Sequence, residues 1–290
     1  MTTAPLVPTA DLLAAAESVE PLPHTVARLA GLVSDPDSDI KEISDTVSLD
    51  VSLTADVLRR ANSAALGHRA NITNVRDAVV RLGTSTLLSL TMASRVGSRM
   101  LQALPAYGLQ AGALWQRSVT ASISAEVIRS RARVPVPAEA GTAALLHDFG
   151  KVVLARHFGK QILDTVALAA LTDGQDVLET ERMVFGLTHA DIGGVVAEAW
   201  GLPLTIVDGI REHHEVRDDL SAISAAVALA CVMSSEIGDP DTDPHSPECA
   251  ERRHEVAPLL RILQLGADDY DEIVATSKVR FEQVAERYVG

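Results

Sequence analysis

Apolar residues recur at helical spacing along nearly the whole of this chain, and almost nowhere do they alternate as a half-buried strand requires. Val75, Ala78, Val79 and Leu82 form an i, i+3, i+4, i+7 stripe, closed by Gly83 where a glycine commonly ends a helix. Leu53, Val57 and Leu58 make another over Val51–Asn62, with Asp50 placed to cap it. Thr188 and Asp191 have the spacing of a reciprocal cap for a helix running to Trp200. Gly201 then stops that helix and Pro203 opens the next. Short polar turns such as Asp35-Pro36-Asp37-Ser38 join the segments, and no repeat of fixed period is present. The pattern predicts an all-α fold of about a dozen helices.

Composition narrows the class. A chain of 290 residues can bury a large core, and with only 3% aromatic residues that core must be Ala, Leu, Val and Ile, which suits closely packed helices. The sequence has no run of 18 apolar residues and no basic, then apolar, secretory leader. Its two cysteines, Cys231 and Cys249, give no disulfide framework, so a cytoplasmic, reduced protein is expected. A net charge of −14 repels a phosphate backbone and argues against nucleic acid as the main target. Arg59-Arg60, Arg95 with Arg99, and Arg129, Arg131 and Arg133 form basic clusters, read as solvated helix faces or as an anion-binding patch. Residues 1–9 are Thr/Pro-rich and expected to fray. Gly238–Glu248 is acidic and rich in turn formers, hence an exposed loop. Val256–Leu265 and Asp268–Tyr288 read as terminal helices.

The chemistry sits in a few places. Leu145–Lys151 reads Leu-Leu-His-Asp-Phe-Gly-Lys, and His213-His214 follows on a later helix. Ile206, Ile210 and His213 share one helical face, and Val207, Ile210 and His214 share its neighbour, so both imidazoles flank a buried stripe. Each residue also has a plainer reading. His213 and His214 could be boundary histidines bonded to backbone, and His147-Asp148 a structural pair. His189 could be a polar residue of a first helical turn. Lys151 could bind a phosphate, pair with Asp148 or sit in solvent.

Eight blocks in order resemble the HDOD domain, a hydrolase-like output module of bacterial signalling proteins. They are Pro21-Leu22-Pro23; Leu58–Ala64 with Gly67; Ala78–Gly83; Leu114-Trp115; Leu145–Lys151; Phe185–Gly193; Trp200–Pro203; and Ile210–His214. Within them Arg59, Asn62, Ser63, Gly67 and Gly83 match the family signature, while Ala65-Leu66 stands where Phe-Tyr is often found. The resemblance covers residues 20–237 and implies a helical lobe over 20–105 packed on an HD-like lobe over 106–237. A leader (1–19) would precede them, and an acidic Pro-rich loop (238–255) and C-terminal helices (256–290) would follow.

Metal-active relatives of the HD superfamily hold two divalent ions on imidazoles and carboxylates, with a bridging hydroxide as nucleophile. The resemblance places His147, Asp148, His189, His213 and His214 at such positions. It also places Arg117 where an earlier His ligand is expected and Cys231 where the final Asp is expected. Unit charges about 4 Å apart interact by about 4 kcal/mol at an effective dielectric of 20, roughly double against a dication, so Arg117 opposes a metal. It is expected instead to pair with Asp148. Cys231 reads as a small buried hydrophobe, although a thiolate could ligate zinc. The resemblance therefore implies a non-catalytic signalling module with a vestigial pocket and no cofactor, acting on a protein partner or a nucleotide second messenger. One alternative is a phosphohydrolase of nucleotides or cyclic dinucleotides, holding Fe, Mn or Zn on His147, Asp148, His213 and His214. The other is a module that only binds a nucleotide second messenger.

Overall fold

The computed structural model describes residues 7–62, 72–158, 177–238 and 255–288. The described residues build an all-α fold with no strand, beyond one isolated bridge between Leu104 and Leu109. None of their helices is long and apolar enough to cross a membrane.

The first group is α1 (Thr9–Glu17), α2 (His24–Ser34), α3 (Ile40–Ser48), α4 (Val51–Ala61), α5 (Val75–Leu82) and α6 (Thr84–Met100). Their ends follow local chemistry. Asp50 Oδ1 accepts the Leu53 N–H at 2.9 Å to cap α4, and Gly83 takes φ +77° between α5 and α6. Asn62 closes the chain back on itself. Its amide donates to the Leu58 and Ile72 carbonyls (2.9 and 2.7 Å) and accepts the Ile72 N–H at 2.7 Å. Ser63, Gly67, Ala65-Leu66, Cys249 and the acidic loop beyond Gly238 lie outside the described residues.

The second group is α7 (Ala113–Arg131), α8 (Ala140–Leu146), α9 (Phe149–His157), α10 (Val177–Phe185), α11 (His189–Ala199), α12 (Leu204–Arg211) and α13 (Ala222–Gly238). Thr188 and Asp191 cap α11 reciprocally, with Thr188 N–H donating to Asp191 Oδ2 at 2.8 Å. α7 is the central element, buried along much of its length and packed on α8 and α13. Ser118, Ala121, Ser122, Ser124 and Ala125 on its buried face are small, so neighbours approach closely without aromatic filling.

The chain closes with α14 (Ala257–Ile262) and α15 (Ala267–Tyr288). α15 packs on α7, buries Tyr270 and Ile273, and is held there by Arg133–Asp269 (2.9 Å) and Arg131–Glu272 ion pairs. At the other end, the 1–19 stretch expected to precede the folded part carries α1, which lies against α9 and α11 with Leu12 and Ala16 fully buried. The expected basic clusters are mostly neutralised in place, as Arg59–Asp56, Arg95–Asp50, Arg99–Glu20 and Arg129–Glu126 pairs.

Candidate functional site

The break between α8 and α9 creates the site. His147 follows the last residue of α8 and Asp148 precedes the first of α9, so imidazole and carboxylate stand at a corner between two buried helices. Gly150 and Gly193 then let α11 lie directly against that corner. A Cβ on Gly150 would overlap the His189 carbonyl oxygen, and one on Gly193 would lie 3.0 Å from Ile210 Cγ2. Close approach of α9 and α11 is what delivers His189 to Asp148.

Four groups converge on the Asp148 carboxylate. Lys151 Nζ is 2.6 Å and His189 Nε2 3.1 Å from Oδ1, His213 Nε2 is 3.8 Å from Oδ1, and His147 Nε2 is 3.5 Å from Oδ2. His147, Asp148, His189 and His213 are all at most 2% exposed, Lys151 is 8% exposed, and His214 is half-buried. The imidazoles are aimed by what holds their other nitrogen. His147 Nδ1–H donates to Ala144 O and His213 Nδ1–H to Ile210 O, each at 2.6 Å, because a carbonyl can only accept. His189 Nδ1–H donates to Glu181 at 2.8 Å, and His214 Nε2 lies 3.0 Å from His189 Nε2. Although the Lys151 ammonium and three imidazole nitrogens stand within 4 Å, both Asp148 oxygens lack a hydrogen bond of good angle. So do His147 Nε2 and His213 Nε2, and all four atoms are buried. The contacts on Asp148 are therefore best treated as Coulombic.

Two residues at the site carried no signal in the sequence. Glu181 is fully buried and also accepts the backbone N–H of His189 (2.8 Å) and the Tyr107 hydroxyl (2.8 Å). The Lys151 ammonium lies 5.8 Å from the centre of the Tyr107 ring. Along the chain Glu181 sits within Glu179-Thr180-Glu181-Arg182, which reads as an ordinary charged helix face, and only tertiary packing gives it a task.

Arg117 departs from expectation. No ion pair joins it to Asp148 among the described residues; Nη2 instead donates to Ser235 Oγ at 2.7 Å. Lys151, three residues beyond Asp148 on the next helical turn, is nearer and takes the carboxylate. Cys231 is buried in α13, and burial pushes its thiol up to about 12, so it is a neutral thiol at physiological pH.

The titrations follow from burial opposed by neighbours. Burial would raise Asp148, but the Lys151 ammonium, followed by His147 and His189, holds it well below the usual carboxylate range. Burial keeps His147 below its ordinary value and His213 well below, and pushes His214 to about 3 with help from His189. For His189, burial and Lys151 push down, yet the nearby Asp148 carboxylate and the hydrogen bond to Glu181 prevail and leave it raised. Three imidazoles held neutral in the fold take up protons on unfolding once the pH falls below about 6.5, so acid costs stability. His189 runs the other way: its contribution is complete below about 6.5 and is lost as pH rises through its raised folded value. Three outweigh one. The urea midpoint should be lower at pH 5.0 than at pH 7.5, and the difference should shrink in His214→Gln; a midpoint that rises in acid would contradict these protonation states.

Metal donors can be tested against this geometry. Asp148, His189, His213 and His214 each bring a ligand atom within 4.8 Å of the others, and the Asp148 oxygens and His213 Nε2, buried and without a hydrogen bond, suit one divalent cation. A second cation fits poorly. His147, His213 and Cys231 form the other cluster, but its thiol is neutral and the Arg117 guanidinium lies near enough to act on both His147 and Cys231.

An all-helical fold with a His-Asp corner facing further histidines defines an HD-type helical protein. The HDOD domain family matches residues 19–216, and the chain belongs to that family. It is similar to an uncharacterized protein of Treponema pallidum, 26% identical over 69% of this chain, and spans only 38% of that relative's length. Among solved structures, an HDOD domain protein of unknown function from Geobacter sulfurreducens is 26% identical with a TM-score of 0.71, covering 97% of this chain and 99% of the other. A Shewanella amazonensis protein, provisionally described as a phosphohydrolase, shares the fold at 24% identity and TM-score 0.66, with 95% and 98% covered. A Marinobacter aquaeolei protein, provisionally described as acting in signal transduction, does so at 22% and 0.71, with 97% and 65% covered.

Proposed function

We propose that the chain is a non-catalytic HDOD signalling module of the cytoplasm, which acts by contact with a partner protein or by holding a small ligand. The observation that carries this reading is the Lys151 ammonium, 2.6 Å from Asp148 Oδ1, with both side chains buried. The carboxylate that a dinuclear hydrolase would use to bridge metals has an internal cation, and Arg117 adds a second positive charge nearby. Near 4 Å, a unit positive charge repels a dication by roughly 8 kcal/mol at an effective dielectric of 20, and the Lys151 ammonium stands within that reach of the carboxylate. The neighbours' descriptions divide between phosphohydrolase and signal transduction, and at 22–24% identity neither decides the chemistry.

A second reading is favoured by the buried Asp148 oxygens and His213 Nε2, which lack a hydrogen bond: a single Fe, Mn or Zn ion held by Asp148, His189, His213 and His214. When bound, such an ion would neutralise Asp148 and tie α9, α11 and the His213-His214 turn together. Glu181 would keep aiming His189, and the Ala144 and Ile210 carbonyls His147 and His213.

Elemental analysis of untagged protein, with hydrolysis assayed on nucleotides and cyclic dinucleotides, tests both readings. At most one equivalent of metal and no turnover is expected. Two equivalents with turnover that His147→Ala abolishes would overturn the non-catalytic reading.

A further inference from the structure

On the face of α9 turned away from the His-Asp cluster, a cavity of about 230 Å³ opens between that helix, the end of α6 and the α1–α2 connection. Its inner wall is apolar: Phe149 and Val153 are buried, and Val152 and Val19 half-buried. Its rim is net cationic, with Arg99 and Arg156 on adjoining helices, His157 beside them and the Glu20 carboxylate as its one acidic group. Arg99 pairs with Glu20, whose side chain is 78% exposed, and a pair this wet is worth little and exchanges readily. Arg156 is exposed and makes no ion pair or hydrogen bond among the described residues. In a chain of net charge −14, two guanidiniums over an apolar floor form a local exception to the general repulsion of anions.

We propose that this cavity binds a small amphipathic anion, a single ring bearing a phosphate or carboxylate, with the ring on Phe149, Val152 and Val153 and the charge on Arg156 and Arg99. Size sets the limit. A cavity of about 150 Å³ accommodates benzene, so one of about 230 Å³ open at the rim takes a ring with its charged group. Planar guanidinium forks match phosphate or carboxylate oxygens in pairs. The site also has a way to report occupancy. Phe149 follows Asp148 directly, its ring lies 5.2 Å from that of Trp200, and Trp200 Nε1–H donates to the Glu20 carbonyl at 3.0 Å. A ligand on Phe149 thus touches the residue next to the vestigial pocket and the contact that fastens the α1–α2 connection. The proposal specifies the ligand side of the signalling reading, yet Arg156 lies outside the His-Asp cluster, so metal content and hydrolysis report on that reading separately.

The test is calorimetric titration of the full chain with phenyl phosphate, phenylacetate and inorganic phosphate, alongside Trp fluorescence. One saturable site is expected for phenyl phosphate, phenylacetate or both, with a matching change in Trp emission. Binding of only one assigns the head group. Arg156→Ala, at an exposed position that should not disturb folding, is expected to weaken binding about tenfold. Val152→Trp, which fills the cavity, should abolish it. The proposal is overturned if neither aromatic probe saturates, if inorganic phosphate binds as tightly as they do, or if both variants bind like the parent chain.

Discussion

Gly150→Ala is expected to destabilise the protein by about 3–5 kcal/mol, lowering its melting temperature by on the order of 10 °C. The added methyl would overlap the His189 carbonyl oxygen and lie 2.8 Å from its carbonyl carbon and 2.9 Å from the Gly193 nitrogen. Every one of these atoms is backbone, so no side chain can turn aside and α9 and α11 must separate. A close-packed interior transmits such a shift, and the first contact to lengthen is His189 to Asp148. Gly194→Ala is the matched control. Its methyl would meet the Arg211 side chain, which can swing into solvent at the loss of a partly exposed pair with Glu198. Alanine in a helix interior also returns about 1 kcal/mol over glycine, so the net change should stay within about 1 kcal/mol. Thermal and urea melts followed by circular dichroism compare the two, and equal losses would mean that backbone contact at Gly150 is not what sets the helix spacing.

The sequence revealed most where causes are local. The caps at Asp50 and Thr188–Asp191 and the glycine stops at Gly83 and Gly201 need only a few neighbouring residues, and they stand where the pattern puts them. His147, Asp148, His189, His213 and His214 are legible as candidates from the motif and its spacing, and the fold brings them together around the Asp148 carboxylate. What could not be read was which group satisfies which. Arg117 looked suited to Asp148 on charge alone, yet it bonds Ser235, while Lys151 is placed by helical geometry one turn away. Glu181 and Tyr107 belong to the site through burial and long-range contact, and neither type nor spacing marks them out. α1 is hard to read from the sequence for a related reason. It follows a Thr/Pro-rich stretch, and its burial against α9 and α11 depends on partners more than a hundred residues away.

Lys151→Met should cost about 3–5 kcal/mol at pH 7.5, since it keeps most of the aliphatic stem but leaves a carboxylate buried without its cation. Lost packing alone would cost the same at every pH, and this loss should not. In the parent chain Asp148 is held below its unfolded value, so its contribution is complete above about pH 4 and lost only as the pH falls through the depressed folded value. Without the ammonium, burial is opposed only by the imidazoles, and the folded-state value of Asp148 rises. A raised carboxyl is a liability at neutral pH that protonation relieves, so the gap between variant and parent should narrow from pH 7.5 to pH 4.5. Comparing the two at each pH cancels most of the imidazole terms they share. Asp148→Asn combined with Lys151→Met should recover more than half of the loss, because the uncompensated charge goes with its partner. A pH-independent gap together with additive single and double variants would mean that the ammonium is satisfied elsewhere. Asp148 would then need a different cation, and the pocket's fitness for a single metal would become the stronger reading.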